Sequence, residues 1–412
     1  MMNISQQIAT ELDVTENRVK AAIELLDDGS TVPFIARYRK EATQGLDDTQ
    51  LRFLEQRLGY LRELESRRTA IVKSIAEQGK LTEALEAKLL AADSKTELED
   101  LYLPFKPKRR TKAQIAREAG LEPLADTLLD DPTQNPESLA EQFINAEAGF
   151  TNASEILDGA KQILMEQFAE RADLLAELRA FFWENAVLAS RLVTGQEENG
   201  SKFSDYFDYQ EKISKIPSHR SLALFRGRNE GVLQLSLDLT DLQPGAEHPC
   251  ERMIAKAAGF RHQGRAADDF LQQAVRWTWK VKLHSKLDIE LLGRLREQAE
   301  EKAIAVFAHN LKDLLLAAPA GPKVVLGLDP GLRTGVKVAV VDGTGKLLDT
   351  VPIYPHAPRN AWDESLHQLA ALVKKHQIRL IAIGNGTASR ETDKLAGELV
   401  KQLKDAGLAK IV

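Results

Sequence analysis

Apolar positions recur at helical spacing from Ile4 to about Arg191, as in Ile8, Leu12, Val19, Ile23 and Leu26, then Leu51, Leu54, Leu58, Leu61 and Leu64. Side chains three, four and seven residues apart share one helix face, so the spacing predicts amphipathic helices. Stop signals at Asp28-Gly29-Ser30, Gln44-Gly45, Gln78-Gly79 and the proline-rich Leu103–Pro107 keep them short. A helix-turn-helix pair can be drawn around Thr15, although most such pairs only pack. A second helical group runs from about Ser154 through Arg191 and closes with Phe181-Phe182-Trp183. Between Ile216 and Leu242, Val232, Leu233, Leu235, Leu237 and Leu239 approach period two, as expected of a strand, which predicts one short sheet or hairpin interrupting the helices. Helical spacing returns from Asp268 to Ala318, with Leu283, Leu287, Leu291 and Leu295 on one stripe. It predicts a long central helix in which Gly293 is the weak point.

Pro319-Ala320-Gly321-Pro322 breaks that pattern and β-rich sequence follows at once. The expected order is strand 324–329, strand 335–341, a turn at Asp342–Gly345, strand 347–353, helix 362–376, strand 378–383 and helix 389–406. Residues 408–412 read as the opening of a further strand.

The chain has 412 residues, 43% hydrophobic and 28% charged, the balance of a globular protein with several cores. Cys250 is the only cysteine, which excludes an intrachain disulfide and a C-x-x-C zinc site and fits a reducing cytoplasm. No window is apolar enough to span a membrane. The net charge of −6 argues against coating nucleic acid by bulk charge. The charge is uneven, with residues 324–412 carrying +3 and the rest −9.

The sharpest local pattern is LGLDPGLRTG over 326–335, an apolar strand ending in Asp329 and followed by glycines. A carboxylate at such a junction is a usual place to hold Mg²⁺, and glycines permit close approach of a phosphate backbone. RNase H-like nucleases and actin-like ATPases both use this arrangement, while the bland alternative is an aspartate shaping a turn. Two-metal hydrolysis needs a second carboxylate, expected at the end of the 378–383 strand, where neutral Asn385 stands. Glu391 is a candidate substitute, although an acid in a first helical turn ordinarily serves the helix dipole.

The second feature is a run of six bases and no acid, Lys106, Lys108, Arg109, Arg110, Lys112 and Arg117. On a proline-stiffened loop these can meet phosphates and release counterions. The competing reading is a salt-bridge hub for Glu97, Glu99 and Asp100. Smaller groups at Arg37-Tyr38-Arg39-Lys40, at Arg220 with Arg226 and Arg228, and at Arg261-His262 with Arg265 read as surface. Of Trp277 and Trp279, at least one is expected in the core. Gly343–Lys346 is a hairpin turn and not a P-loop, the histidines lack zinc spacing, and no small-molecule substrate is indicated.

Five segments together resemble the Tex family of bacterial transcription accessory proteins: TVPFIARYRK (31–40), LYLPFKPKRR (101–110), SHRSLALFRGR (218–228), LDPGLRTG (328–335) and IGNGTASRE (383–391). The resemblance implies a multidomain chain, mainly α-helical in its N-terminal and central regions, followed by an α/β RNase H-like domain of YqgF type. The expected divisions are a helical region with helix-turn-helix-like elements at 1–195, a central helical scaffold with a short β element at 196–322, and a partial YqgF-type domain at 323–412. It further implies that a helix-hairpin-helix pair, an RNA-binding OB-fold and the last strand and helix of the RNase H-like fold belong to a longer protein. The expected function is a cytoplasmic binding scaffold on DNA or RNA with the transcription machinery, its RNase H-like domain degenerate and no cofactor required. The alternative is a Mg²⁺-dependent nuclease using Asp329, Glu391 and an acid beyond Val412.

Overall fold

The computed structural model describes residues 3–107, 109–240 and 247–403, and the backbone of 409–411. It divides into two compact units, Met1–Ala305 and Val306–Val412.

The first unit begins with α1 (Ile4–Leu12), α2 (Glu16–Asp27), α3 (Val32–Tyr38), α4 (Asp48–Glu77), α5 (Glu83–Ala91) and α6 (Lys95–Tyr102). Asp47 starts α4 with a capping box, its carboxylate accepting from the Gln50 amide while the Gln50 side chain accepts from the Asp47 amide. The predicted stripe Leu51, Leu54, Leu58, Leu61 and Leu64 is buried, and against it pack Ile8, Val19, Val32, Ile35 and Leu98. Asp13, at φ +53°, turns the chain between α1 and α2, whose buried Ile8 and Val19 lie in that core.

After Phe105 the chain enters α7 (Lys112–Glu118), α8 (Glu122–Asp130), α9 (Pro136–Ala140), α10 (Ala153–Ala169) and α11 (Ala172–Asn185). Next come β1 (Val187–Leu192), β2 (Asp208–Lys212), α12 (Ser218–Asn229), β3 (Leu233–Asp238), α13 (Pro249–Ala257), α14 (Asp268–Trp277) and α15 (His284–Leu315). One core takes residues from Ala113 to Leu295. It therefore runs straight through the expected division at 195/196. The change of core falls at the proline-rich stretch near residue 105: the buried residues of the first core end at Tyr102 and those of the second begin at Ala113, where α10 packs against α7, α8, α9 and α14, while α11 also touches α6.

Residues 187–192 are a strand and not the end of a helix. β1 is the centre of an antiparallel sheet of order β2-β1-β3, so the short β element expected between the helices is a three-stranded sheet that begins earlier in the chain than the pattern placed it. Its burial alternates, with Leu188 and Ser190 inside, a six-residue period-two signal too short to stand out beside the long helix before it. A π-helical segment, Thr278–Leu283, joins α14 to α15, and the buried Thr278 hydroxyl donates to the Ala274 carbonyl at 2.8 Å. Trp279 is core, edge-on to Phe182, while Trp277 is about half exposed. Helix α15 passes unbroken through Gly293. Cys250, in the first turn of α13, is fully buried, and burial pushes its thiol up to about 12.

The second unit holds β4 (Val325–Asp329), β5 (Val336–Val341), β6 (Leu347–Ile353), α16 (Trp362–His376), β7 (Leu380–Ile383), α17 (Ser389–Gln402) and β8 (Ala409–Ile411). The sheet order is β6-β5-β4-β7-β8, antiparallel across β6, β5 and β4 and parallel across β4, β7 and β8. A fifth strand is thus paired within this chain, at the residues expected to open a further strand. The β7 backbone offers a free parallel edge that Ala409–Ile411 fills. Leu326, Leu328, Val336, Val338 and Ile381 pack against Leu366, Leu369, Leu395 and Leu399 of the two helices. The fold class expected from the sequence, helical regions followed by an α/β domain with a mixed sheet, is the one observed.

Candidate functional site

The basic run lies where the chain passes from the first core to the second. Leu103–Phe105 form a single 3-10 turn, and the Gln78 side chain donates to the Phe105 carbonyl at 2.9 Å. Thr111 then caps α7 by accepting from the Gln114 amide at 3.0 Å. Between these anchors Lys106, Arg109, Arg110 and Lys112 are exposed, and Lys108 lies outside the described residues.

The bases differ in what holds them. Lys106 is 3.8 Å from Glu99, whose carboxyl is held below its usual range first by a hydrogen bond from Arg67. Arg110 pairs with Glu118 at 2.5 Å. Arg109 and Lys112 form no ion pair among the described residues. Arg117 departs from the group: its guanidinium is mostly covered and bonded to Glu122 at 2.9 Å and Glu166 at 2.5 Å. It ties α7 to α10, and its charge is already matched, so the outward surface is Lys106, Arg109, Arg110 and Lys112. Glu99 is the partner in the predicted hub, whereas Asp100 points elsewhere, to Arg179 at 2.8 Å and Lys286 at 3.5 Å. That inner network also includes Glu290, bonded to Arg179. Its members are too far apart in sequence for any local pattern to reveal it.

Asp329 ends β4 as predicted, exposed, with Lys337 of β5 beside it at 3.5 Å. The glycines of the following loop serve the chain's own close approaches. A Cβ on Gly331 would meet the Gly335 carbonyl oxygen at 2.7 Å. One on Gly335, at φ +73°, would meet the Ile353 oxygen at 2.5 Å and the Tyr354 ring at 2.7 Å. The expected neighbour is present: the Gly384 amide donates to the Leu328 carbonyl at 2.8 Å, which brings Asn385 to the strand end carrying Asp329.

Glu391 sits exposed in the first turn of α17. Its charge acts on His356, a buried histidine missed by the sequence reading, whose Nε2 lies 3.1 Å from the Thr392 hydroxyl. Burial lowers the affinity of His356 for a proton, and Glu391 opposes that effect. Among the described residues no three carboxylate, histidine or cysteine side chains gather closely enough to hold a metal ion. Two-metal hydrolysis needs several carboxylates converging on the ions, and the charged group beside Asp329 is the Lys337 ammonium.

Three family models match the chain: a Tex-like protein N-terminal domain over residues 2–76, a Tex central region-like model over 131–307 and a Tex protein YqgF-like domain over 323–412. Protein YhgF of Escherichia coli (strain K12) is 56% identical over 416 aligned positions, taking in 100% of this chain and 54% of that protein. Transcriptional accessory protein Tex of Neisseria gonorrhoeae is 55% identical, over 100% of this chain and 53% of that protein. S1 RNA-binding domain-containing protein 1 of Homo sapiens is 29% identical over 92% of this chain and 38% of its own length. The chain thus spans about half the length of the two bacterial relatives. No helix among the described residues is long and apolar enough to cross a membrane.

Proposed function

The chain belongs to the Tex family through its N-terminal, central and YqgF-like domains, and on that premise we propose that it is a transcription accessory module that touches nucleic acid directly. The observation that carries this reading is the exposed basic bridge between the first two cores, with Arg109 and Lys112 free of carboxylate partners among the described residues. Cations placed so can neutralise backbone phosphates at little cost in broken ion pairs. The names of two relatives, one a transcriptional accessory protein and one an S1 RNA-binding domain protein, support the same class of partner. In this reading the YqgF-like domain is a non-catalytic scaffold, supported by Lys337 at Asp329 and by neutral Asn385 where a second carboxylate was expected, next to Gly384, which bonds the end of β4.

The test is binding of fluorescent single- and double-stranded DNA and RNA over a salt series, comparing wild type with Lys106, Arg109, Arg110 and Lys112 all changed to Gln. Each phosphate that the variant no longer neutralises should flatten the log–log salt slope by about 0.7 on a single strand and about 0.9 on a duplex. An unchanged slope would remove the bridge from the interface. Cleavage of nucleic acid with Mg²⁺ or Mn²⁺ that vanishes in Asp329→Ala would overturn the non-catalytic part and favour the nuclease alternative, built on Asp329, Glu391 and an acid beyond Val412.

A further inference from the structure

Helix α3 and the turn after it carry a feature that the basic bridge does not. Val32 and Ile35 are buried and pin the helix down in the α4 core. The helical repeat then turns Phe34, Arg37 and Tyr38 outward together, since positions i, i+3 and i+4 share a face. Phe34 is 39% and Tyr38 61% exposed, and their ring centroids are 5.4 Å apart at an interplanar angle of 46°. Two neighbouring aromatic faces left to water on a short helix are an unfavourable arrangement for a surface with no partner.

Cations surround these rings. The Arg39 guanidinium lies 5.4 Å from the Phe34 centroid, and Arg37 and Lys40 are exposed beside it. Among the described residues none of the three takes part in an ion pair. Glu41 is the one acid between Thr31 and Leu46. The turn is held in shape: the Thr43 amide donates to the Arg39 carbonyl at 3.2 Å and the Gly45 amide to the Lys40 carbonyl at 2.8 Å. Arg18 Nε reaches across from α2 to the Thr43 carbonyl at 3.3 Å. Gly45 closes the turn at φ +88°, a conformation that costs a side-chain-bearing residue energy.

We propose that Phe34 and Tyr38, flanked by Arg37, Arg39 and Lys40, form a stacking platform for single-stranded nucleic acid. The platform rests on the nucleic-acid reading above and adds to it a second surface and a strand preference. Exposed rings with unpaired cations match an unstacked base and its phosphates, because every base offers a π face and every linkage a negative charge. A duplex hides its base faces, so it offers the rings nothing to stack on. The rigid helix and tied turn mean that little freedom is lost on binding.

The test uses the 412-residue chain and labelled oligouridine, oligothymidine and duplex of roughly 12 nucleotides, within the range of site sizes for such platforms. Anisotropy is read across a salt series of about 50 to 200 mM. Changing Phe34→Ala and Tyr38→Ala together should weaken single-strand binding by about tenfold or more while leaving the salt slope and duplex binding unchanged. Arg37→Gln with Lys40→Gln should instead flatten the slope, by about 0.7 for each phosphate no longer neutralised. Tyr38→Trp should keep the affinity and show indole quenching by oligonucleotide beyond that of wild type. The oligouridine and oligothymidine arms tell whether the strand is RNA or DNA. Full affinity in the double alanine variant, or no quenching in Tyr38→Trp, overturns the platform and leaves the basic bridge as the binding surface. Absence of binding by wild type removes both readings from this chain. A wild-type dimer in light scattering that becomes a monomer in Phe34→Ala, Tyr38→Ala would make the patch a protein interface and also overturn the proposal.

Discussion

Removing Arg179 of α11 cuts the ionic link between the two helical cores of the first unit. Its guanidinium bridges Asp100 of α6, at 2.8 Å, and Glu290 of α15, and so ties the first helical core to the second within one unit. Asp100 is 5% exposed, and without Arg179 its remaining ionic partner among the described residues is Lys286 at 3.5 Å. Leaving a buried charge without its partner costs about 3 to 5 kcal/mol. Here Lys286 stays and Glu290 is partly exposed and can hydrate, so Arg179→Met should cost about 2 to 3 kcal/mol. The double variant Asp100→Asn, Arg179→Met should recover about 1 kcal/mol or more relative to additivity, because the orphaned charge is gone. Urea unfolding gives the free energies. Amide exchange gives the location, and should rise in residues 95–102 as well as in α11, since the link between them is cut. A cost below about 0.5 kcal/mol, the ordinary size of a surface substitution, or exchange confined to α11, would refute the reasoning.

Three further outcomes are expected. Asp349 accepts from Lys375 at 2.8 Å and His376 at 3.0 Å, and the Lys375 bond foremost draws its carboxyl down to about 2 from 3.8. A lowered folded value means that its stabilisation is full above about pH 4 and disappears as the pH falls through 2, so the stability gap between wild type and Asp349→Asn should close across that window in denaturation series. Gly335→Ala, at φ +73° where a Cβ would stand 2.5 Å from the Ile353 oxygen, should destabilise the C-terminal unit by about 2 kcal/mol or more, whereas Gly345→Ala, at φ +88° with open space, should cost about 1 kcal/mol; amide exchange within β4, β5 and β6 distinguishes them. Trp279→Ala should cost about 3 to 5 kcal/mol as a cavity in the core, while Trp277→Ala, half exposed, should cost under about 1 kcal/mol; chemical denaturation of both checks the assignment.

The C-terminal unit was readable because each element is short, strongly periodic and bounded by a turn with its own chemistry. β6 and α16 fall where the pattern places them, between Asp342–Gly345, the Pro355–Pro358 loop and Gln377 at φ +51°. The 113–295 core was harder. β1 follows α11 after one residue, and pairs with strands about 20 and 45 residues away, so no local pattern marks the sheet. The Pro-rich stretch at 103–107 was visible as a break, but nothing in composition says that a break there separates cores while one near Gly195 does not. At the candidate site, Asp329 and Asn385 came together as their strand positions require, because β4 and β7 are parallel neighbours. Which cations are free was not readable, since Arg117 and Arg109 look alike until Glu166 is brought in from α10. The aromatic patch on α3 was in plain sight as residues. Its meaning depends on exposure, which sequence spacing alone leaves open.

The covered thiol of Cys250 reports the local opening of α13. Alkylating reagents attack the thiolate and must reach it, and here the sulfur is covered and its proton held up to about 12. Modification therefore waits for α13 to lift from its core. Where closing is faster than labelling, the labelling rate relative to an unprotected thiol is the equilibrium constant for that opening. With one cysteine in the sequence, this gives a clock for a single event under native conditions, with no engineered probe. Ligands that bind the closed state should slow it in proportion to their occupancy.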